Sequence, residues 1–335
     1  MSFCLGADIG GTNIRIGLVD EEGRIVARRR LRTDPQAPPG TVLERLARTA
    51  LAMAEKHEVA SFGIGIAGLV DHRDGLVFTS PNLPAWERVP VKDILSRLTR
   101  LPVFCANDAN VVALGEWLFG AARGSTDVLV ITLGTGVGTG IIAEGRLLLG
   151  ANHYAGELGH TVIFPNGVSC PCGNRGCLER YVGAEAIVHR CRRLLRLQQH
   201  RLASNRNQLT LFGGASEQQS LLFDLINYDY RRLTPKEIGI AARKGDRLAL
   251  EVVEETGRLL GLGIYNAIMI LDPEIIVLGG GISRLGRPLL RAVQKSVNSR
   301  LYGANRSFRI VLSKLVDDAG ILGASRLGQI FSASD

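Results

Sequence analysis

Apolar positions at the start of the chain alternate every second residue, then shift to a helical spacing. Phe3–Asp8, Ile14–Val19 and Ile25–Arg30 read as three strands joined by short Gly-containing or acidic turns. Val42, Leu46, Ala50 and Met53 fall on one face of a helix over Thr41–His57. Ser61–Ile66 follows as a strand, Val91–Leu98 as a helix, Pro102–Cys105 as a short strand and Asp108–Leu118 as a helix. The cycle then restarts. Asp127–Leu133 and Thr139–Ala143 form a second strand pair around a Gly/Thr loop, with Glu144-Gly145 as the next turn. This repetition predicts two similar lobes facing a cleft. Farther on, Asp246–Leu271 is a long amphipathic helix, Ile275–Leu278 and Phe308–Leu312 are strands, and Gly320–Phe331 is a last helix. Strands alternating with helices place the chain in the α/β class with mixed, partly parallel sheets. Leu194–Thr234 lacks this patterning and reads as an insertion.

The 335 residues, 46% of them apolar, suffice for one large domain or two medium ones. No apolar run is long enough to span a bilayer, so no membrane partner is expected. The net charge of +8 is concentrated in arginine runs. Six arginines and no acid lie between Arg190 and Arg206, and a second basic run extends from Arg284 to Arg309. Nucleic-acid binding would use such runs with interleaved aromatics. Aromatics are only 5% of the chain and none interrupts the first run. Solvated helix faces, with a field attracting an anionic substrate such as a nucleotide, are therefore the preferred reading.

The densest chemistry lies in GELGHTVIFPNGVSCPCGNRGCLE, Gly156 to Glu179. His160, Cys170, Cys172 and Cys177 have the residue types and spacing of a tetrahedral zinc site. Three sulfurs and one nitrogen close the shell, so the ion would be structural, and Glu157 and Glu179 would face something else. A disulfide is the competing reading. The N-terminus lacks a basic start and a long apolar run, which points to a cytoplasmic chain with reduced thiols. The C-x-C and C-x4-C spacings do not match the C-x-x-C redox motif. Cys4, Cys105 and Cys191 read as buried thiols.

Three glycine clusters lie elsewhere. Asp8-Ile9-Gly10-Gly11-Thr12-Asn13 occupies a strand-to-strand turn, where backbone N–H groups can approach a phosphate and Asp8 can hold Mg²⁺ through water. Leu133-Gly134-Thr135-Gly136-Val137-Gly138-Thr139-Gly140 fills the matching turn of the second half. No helix follows it, which argues against a dinucleotide fingerprint. Paired loops of this kind could grip a triphosphate from both sides. Gly279-Gly280-Gly281 ends a strand and opens a helix where a nucleotide could rest. Asn107-Asp108-Ala109-Asn110 lies between a strand and a helix. Asp108 there is either a helix N-cap or, given the other motifs, a general base on a substrate hydroxyl.

Taken together, DIGGTN (8–13), SPNLPAW (80–86), NDAN (107–110), LGTGVGTG (133–140), GELGH (156–160), CPCGNRGCLE (170–179) and LGGGIS (278–283) resemble the sugar kinases of the ROK family (repressors, open reading frames, kinases). The similarity is greatest to the family's bacterial glucokinases and runs from Asp8 to about Gly323. It implies a two-lobed actin-like ATPase (ribonuclease H-like) fold with a structural zinc loop. The implied lobes are 1–118 plus 314–335, to which the C-terminal helix returns, and 119–313, carrying the zinc loop and helices of the kind that pair in dimers. It implies ATP-dependent phosphorylation of a hexose 6-hydroxyl, glucose first, with N-acetylmannosamine, N-acetylglucosamine, fructose or allose as alternatives. Asp108 would take the hydroxyl proton. Gly68, Asn82, Asn107, Asp108, Glu157, His160 and Glu179 would bind sugar, His160 using one ring nitrogen for zinc and the other for the sugar. Asp8, Gly10, Gly11, Thr12, Asn13, Gly134, Thr135, Gly136, Gly279, Gly280 and Gly281 would hold ATP and Mg²⁺. A homodimer or higher homo-oligomer is expected. A sugar-sensing repressor of the family would need a helix-turn-helix before Asp8, for which seven residues leave no room. Thr139 stands where many relatives have Gly, Ala67 where Pro or Thr is common, and Leu194–Thr234 is longer than the usual connector.

Overall fold

A computed structural model describes residues 2–206, 219–301 and 307–332. The chain opens with strands β1 (Phe3–Ile9), β2 (Asn13–Val19) and β3 (Ile25–Arg32), helix α1 (Pro39–Ala54) and strand β4 (Val59–Ile66). Short strands β5 (Leu69–Asp71), β6 (Leu76–Thr79) and β7 (Val89–Pro90) precede α2 (Val91–Thr99), β8 (Val103–Asn107) and α3 (Asp108–Leu118). Strands β9 (Val128–Leu133), β10 (Val137–Ala143) and β11 (Arg146–Leu147) lead to α4 (Glu179–Val182), α5 (Ala184–Arg206), α6 (Leu222–Leu225), α7 (Pro235–Arg243) and α8 (Arg247–Leu271). The chain continues through β12 (Ile275–Gly279), α9 (Arg287–Asn298), β13 (Arg309–Leu312), α10 (Ala319–Ser325) and α11 (Leu327–Ser332).

The duplication expected from the repeated hairpins is present in the sheets. One five-stranded sheet has the order β3-β2-β1-β4-β8, the other β11-β10-β9-β12-β13. In each, an antiparallel hairpin pairs with two further parallel strands. The Gly/Thr loops are therefore the tips of corresponding hairpins, β1–β2 and β9–β10. Leu5, Ala7 and Ile9 bury one face of β1, while consecutive Ile275, Ile276, Val277 and Leu278 bury both faces of β12, all without exposed surface. A small sheet, β5-β6-β7, was not expected; its strands are too short to leave a periodic signal.

Helix α3 lies between the two sheets. Its Val111, Ala113 and Leu114 join one buried cluster with Val128 and Val130 of β9, Ile275 and Val277 of β12, and Ala324 of α10. Small side chains permit this approach. Ala109 and Ala113 meet Gly138 and Gly140 of β10. A Cβ on Gly323 would collide with the Val111 carbonyl oxygen, and one on Gly63 of β4 with the Ala324 carbonyl oxygen. The C-terminal helix thus returns to the first sheet at backbone contact.

Several element bounds differ from expectation. Asp246 is the N-cap of α8, accepting from the Ala249 N–H at 2.8 Å, so the helix itself begins at Arg247. The expected helix Gly320–Phe331 breaks at Arg326, a buried residue whose guanidinium donates to the Asp20 and Glu21 carbonyls and lies over Phe119. The insertion Leu194–Thr234 holds the end of α5, α6 and a 3₁₀ turn at Tyr230–Arg232; its residues 207–218 lie outside the described residues. Part of the first arginine run is spent on packing: Arg190 donates to Thr256 and the Tyr181 carbonyl, and Arg192 to the Tyr230 carbonyl.

Gly323→Ala should lower stability by about 1–3 kcal/mol through overpacking against Val111. Gly40→Ala in α1, with no atom within 4 Å of the new methyl, should be neutral or stabilising by about 0.4–1 kcal/mol. Urea unfolding of both variants beside the wild type checks the contrast; a Gly323→Ala protein as stable as Gly40→Ala would contradict the packing argument.

Candidate active site

Asp8 ends the buried run of β1, directly opposite Arg15 across the hairpin. The Arg15 guanidinium stands 3.9 Å from its carboxylate and 3.3 Å from Asp317. The loop beyond is fixed at its base, where Thr33 donates from Oγ1 to the Gly10 carbonyl and from its N–H to the Thr12 carbonyl. Thr12 itself is exposed, with Asn13 tied to Arg30. Asn82 packs against this loop: its Cβ lies 2.9 Å from where Gly11 would carry one.

Asn107 decides between the two readings of Asp108. The amide oxygen of Asn107 caps α3, accepting from the Ala109 N–H at 2.8 Å and the Asn110 N–H at 3.4 Å. Asp108 is therefore the first helical residue rather than the cap, with one carboxylate oxygen on the Ala109 N–H. The Asn107 amide N–H donates to the Gly68 carbonyl at 2.9 Å. Gly68 has φ +136°, a conformation a side chain would strain, and this turns its carbonyl toward Asn107.

Three acids converge here. Burial, with the Asp108 charge adding to it against Arg15, raises the Asp8 carboxyl from 3.8 to about 7. Burial chiefly raises Asp108 as well; Glu157 adds to the rise and the Ala109 N–H opposes it. The Asp108 charge thus acts on Asp8, and that of Glu157 on Asp108.

The second Gly/Thr loop is held from behind. Gly134 N–H donates to the Gly136 carbonyl, Ala184 N–H to the Gly134 carbonyl, and Val137 N–H to Glu179 Oε2 at 2.9 Å. Glu179 thereby joins the loop to α4. Thr135 is exposed at the tip. Gly280 packs on Leu133 at the base of the same loop, and no atom lies within 4 Å of a Cβ position on Gly134 or Gly281. Gly279–Gly281 ends β12 and opens a helix as expected from sequence, but a short 3₁₀ one, Gly281–Leu285, which stops at Gly286 with φ +77° before α9.

Glu157 precedes a 3₁₀ turn, Leu158–His160, that puts His160 between two environments. Its Nδ1 is 3.8 Å from Cys170 Sγ and its Nε2 3.9 Å from Glu157. Cys172 and Cys177 sulfurs are 3.7 Å apart, and the ligand atoms of all four residues lie within 4.8 Å of one another. Sulfurs bound at about 2.3 Å to a tetrahedral zinc ion stand roughly 3.8 Å apart, so the donor set fits zinc. All six cysteines are free thiols. Burial pushes the Cys177 thiol up to about 12, so a cation is what would hold it as thiolate.

Contacts join several of the expected residues in pairs: Gly11 with Asn82, Gly68 with Asn107, and the Gly134–Gly136 loop with Glu179. Residues 4–329 match the ROK family. The chain belongs to the ROK family. It is 38% identical to a glucokinase of Thermotoga maritima, covering 96% of both chains. It is 33% identical to a glucokinase of Streptomyces coelicolor, covering 98% of both. Its fold matches that of a ROK family glucokinase from Streptomyces griseus, solved in complex with glucose and AMPPNP, with a TM-score of 0.82 at 34% identity over 97% of this chain and 98% of that one. The fold is that of the ROK kinases, consistent with the actin-like ATPases. No helix among the described residues is long and apolar enough to cross a membrane.

Two residues of this ROK site escaped the sequence reading. Arg15 supplies the cation that limits the rise of Asp8; the strand alternation that places it opposite Asp8 was the available signal. Gly320 of α10 leaves room for the Asp8 carboxyl, 3.1 Å from its missing Cβ, and only the fold brings them together.

The raised Asp8 carboxyl has a pH consequence. The folded chain binds this proton more tightly than the unfolded chain, so the group's stabilising share is full below about pH 4 and is lost as pH rises through about 7. Asp8→Asn should raise Tm relative to wild type more at pH 8 than at pH 5, by differential scanning fluorimetry; an equal shift at both would refute the assignment.

Proposed function

We propose that this protein transfers the γ-phosphoryl group of ATP to the 6-hydroxyl of a hexose, with glucose the substrate. One observation carries the reading: Asn107, not Asp108, caps α3, and the partly buried Asp108 carboxyl feels the charge of Glu157, beside the zinc-type cluster, and acts on that of Asp8, next to the first Gly/Thr loop. The similarity to glucokinases across nearly the whole chain supports glucose.

In this mechanism Gly68, Asn82, Asn107, Glu157, His160 and Glu179 surround the sugar, whose hydroxyls donate charge-assisted hydrogen bonds to the carboxylates. Asp108 accepts the proton of the 6-hydroxyl as that oxygen bonds to the γ-phosphorus; the bond to the β–γ bridging oxygen breaks and ADP leaves. A carboxylate raised by burial is better matched to this role near neutral pH than an ordinary one. Gly10–Asn13 and Gly134–Gly136 present backbone N–H groups to the phosphates, and Gly279–Gly281 borders the nucleotide. Mg²⁺ held by Asp8 would neutralise phosphate charge. The fit is electrostatic: a buried acid beside a second acid is a place where a cation relieves repulsion.

His160, Cys170, Cys172 and Cys177 would hold structural zinc, leaving the other nitrogen of His160 to the sugar. The matched sheets and the return of α10 support lobes 1–118 plus 314–335 and 119–313, of which 207–218, 302–306 and 333–335 lie outside the described residues. We assign the enzyme to the cytoplasm on its reduced thiols. We further assign a homodimer or higher homo-oligomer; Ile270, 82% exposed near the end of α8, is a surface a second copy would cover.

Asp108→Asn should lower kcat by about 10²–10⁴-fold while calorimetry still detects glucose binding; unchanged turnover would remove Asp108 from the role of base. A coupled ADP-release assay over hexoses and N-acetylhexosamines should give the highest kcat/KM for glucose, and a preference for N-acetylmannosamine, N-acetylglucosamine, fructose or allose would replace that assignment. Cys172→Ser should release zinc and raise the glucose KM more than it lowers kcat. Wild-type protein without zinc on elemental analysis would end the zinc claim.

A further inference from the structure

A second cluster of metal-ligating side chains lies outside the site described above. Asp71 ends β5, His72 follows it, and His153 lies in the loop after β11. His72 Nδ1 faces His153 Nδ1 at 3.0 Å, and His153 Nε2 is 3.5 Å from Asp71 Oδ1. One ligand atom from each residue lies within 4.8 Å of the others. Two ligands bound at 2.0–2.1 Å to one tetrahedral ion stand roughly 3.3 Å apart, close to the separation of the two Nδ1 atoms; the Asp71 contact uses the other His153 nitrogen, so the Asp71 oxygen joins that pair only within the wider 4.8 Å limit. The three side chains are only partly exposed, His153 at 15% and Asp71 at 19%. The arrangement is held by its surroundings. The His72 ring packs on Phe331, and the Asp71 carboxylate accepts from the Arg73 N–H. His153 has φ +61°, a left-handed conformation that non-glycine residues seldom adopt.

We propose that Asp71, His72 and His153 form a second metal site, for a divalent transition ion such as Zn²⁺, Co²⁺ or Ni²⁺, that clips the two halves of the fold together. Two imidazoles with one carboxylate suit such ions rather than Mg²⁺ or Ca²⁺. Three protein ligands would leave a fourth position, and His72 borders a groove of about 910 Å³ also lined by Arg73, Lys92 and Arg146. An anion or water from solvent would complete the shell there, among those cations. Neither the sugar residues nor the nucleotide residues line this groove.

The connectivity makes the site a clip. Asp71 is three residues beyond Gly68, whose carbonyl holds Asn107, and His153 is four residues before Glu157. An ion at this point would tie the turn behind the base to the loop leading into the zinc-type cluster. The binding itself does not depend on the kinase reading.

Metal-depleted full-length protein titrated with Co²⁺ tests the proposal by calorimetry and absorption. Wild type should bind two equivalents, one with a thiolate charge-transfer band from the Cys170–Cys177 cluster and one without. His72→Gln and His153→Gln should each bind one equivalent with that band intact, and the Co²⁺-induced rise in Tm should shrink to that of the thiolate site alone. The intact band also reports that the variants are folded. Should either histidine variant fail to fold, Asp71→Asn, which keeps the side-chain shape, should still weaken the band-free equivalent at least tenfold. Wild type taking up only the thiolate-bound equivalent would overturn the proposal and leave the pair as a proton-sharing hydrogen bond. Two equivalents retained unweakened in the variants would overturn it equally.

Discussion

Everything in the cleft depends on how closely α3 packs against its neighbours. The helix carries Asp108 at its first turn and is wedged between both sheets. Ala109 and Ala113 meet the glycines of β10, while Gly323 of α10 touches the α3 backbone at Val111. Such contacts leave almost no tolerance, since protein interiors are packed to crystal density and yield little. One rigid wedge therefore sets the distance from Asp108 to the β1–β2 loop and to the β9–β10 loop together. Reaction geometry is inherited from small residues that do no chemistry.

The same wedge creates an electrostatic burden. It brings Asp8, Asp108 and Glu157 into one partly buried space with Arg15 as the nearby cation named above. Both aspartates respond by holding protons above the normal range. A site that destabilises its own charges is poised for a ligand that relieves them, here a cation with a nucleotide. Sites of this type trade some folding stability for function.

The duplicated sheets were legible because their strands are long enough to show period-two alternation and their hairpins repeat the same Gly/Thr punctuation. The candidate site residues stood out for a different reason. They sit in dense motifs whose residue types have few other uses, as with Cys170, Cys172 and Cys177. The β5–β7 sheet was invisible, since strands of two to four residues carry no periodicity. The Arg326 break was hidden because apolar spacing continues through it, and only the tertiary contacts to Asp20 and Glu21 interrupt the helix. Capping by Asn107 instead of Asp108 turns on one residue of register, a distinction that adjacent Asn and Asp, both good caps, cannot signal. The pairing of His72 with His153 joins positions 81 apart and has no local trace.

The zinc-type cluster and the core share the work of positioning the sugar-side residues, and they do so unequally. Cys177 and Leu178 are fully buried, and Leu178 fits against Gly263 of α8. Glu179 follows directly and is tied to the Val137 N–H. Its place is therefore set by hydrophobic burial and a backbone hydrogen bond, which persist without metal. His160 has no comparable anchor: its 3₁₀ turn is one turn long, and its Nδ1 meets only the Cys170 sulfur among its described hydrogen-bond partners. Metal loss would release His160 and the exposed hairpin between it and Cys177 while leaving Glu179 in register with the phosphate loop. On the proposed function, an ion there would govern the grip on the sugar and the core the approach to phosphate. That division is why a cysteine substitution in this loop should weaken binding before it slows the chemical step.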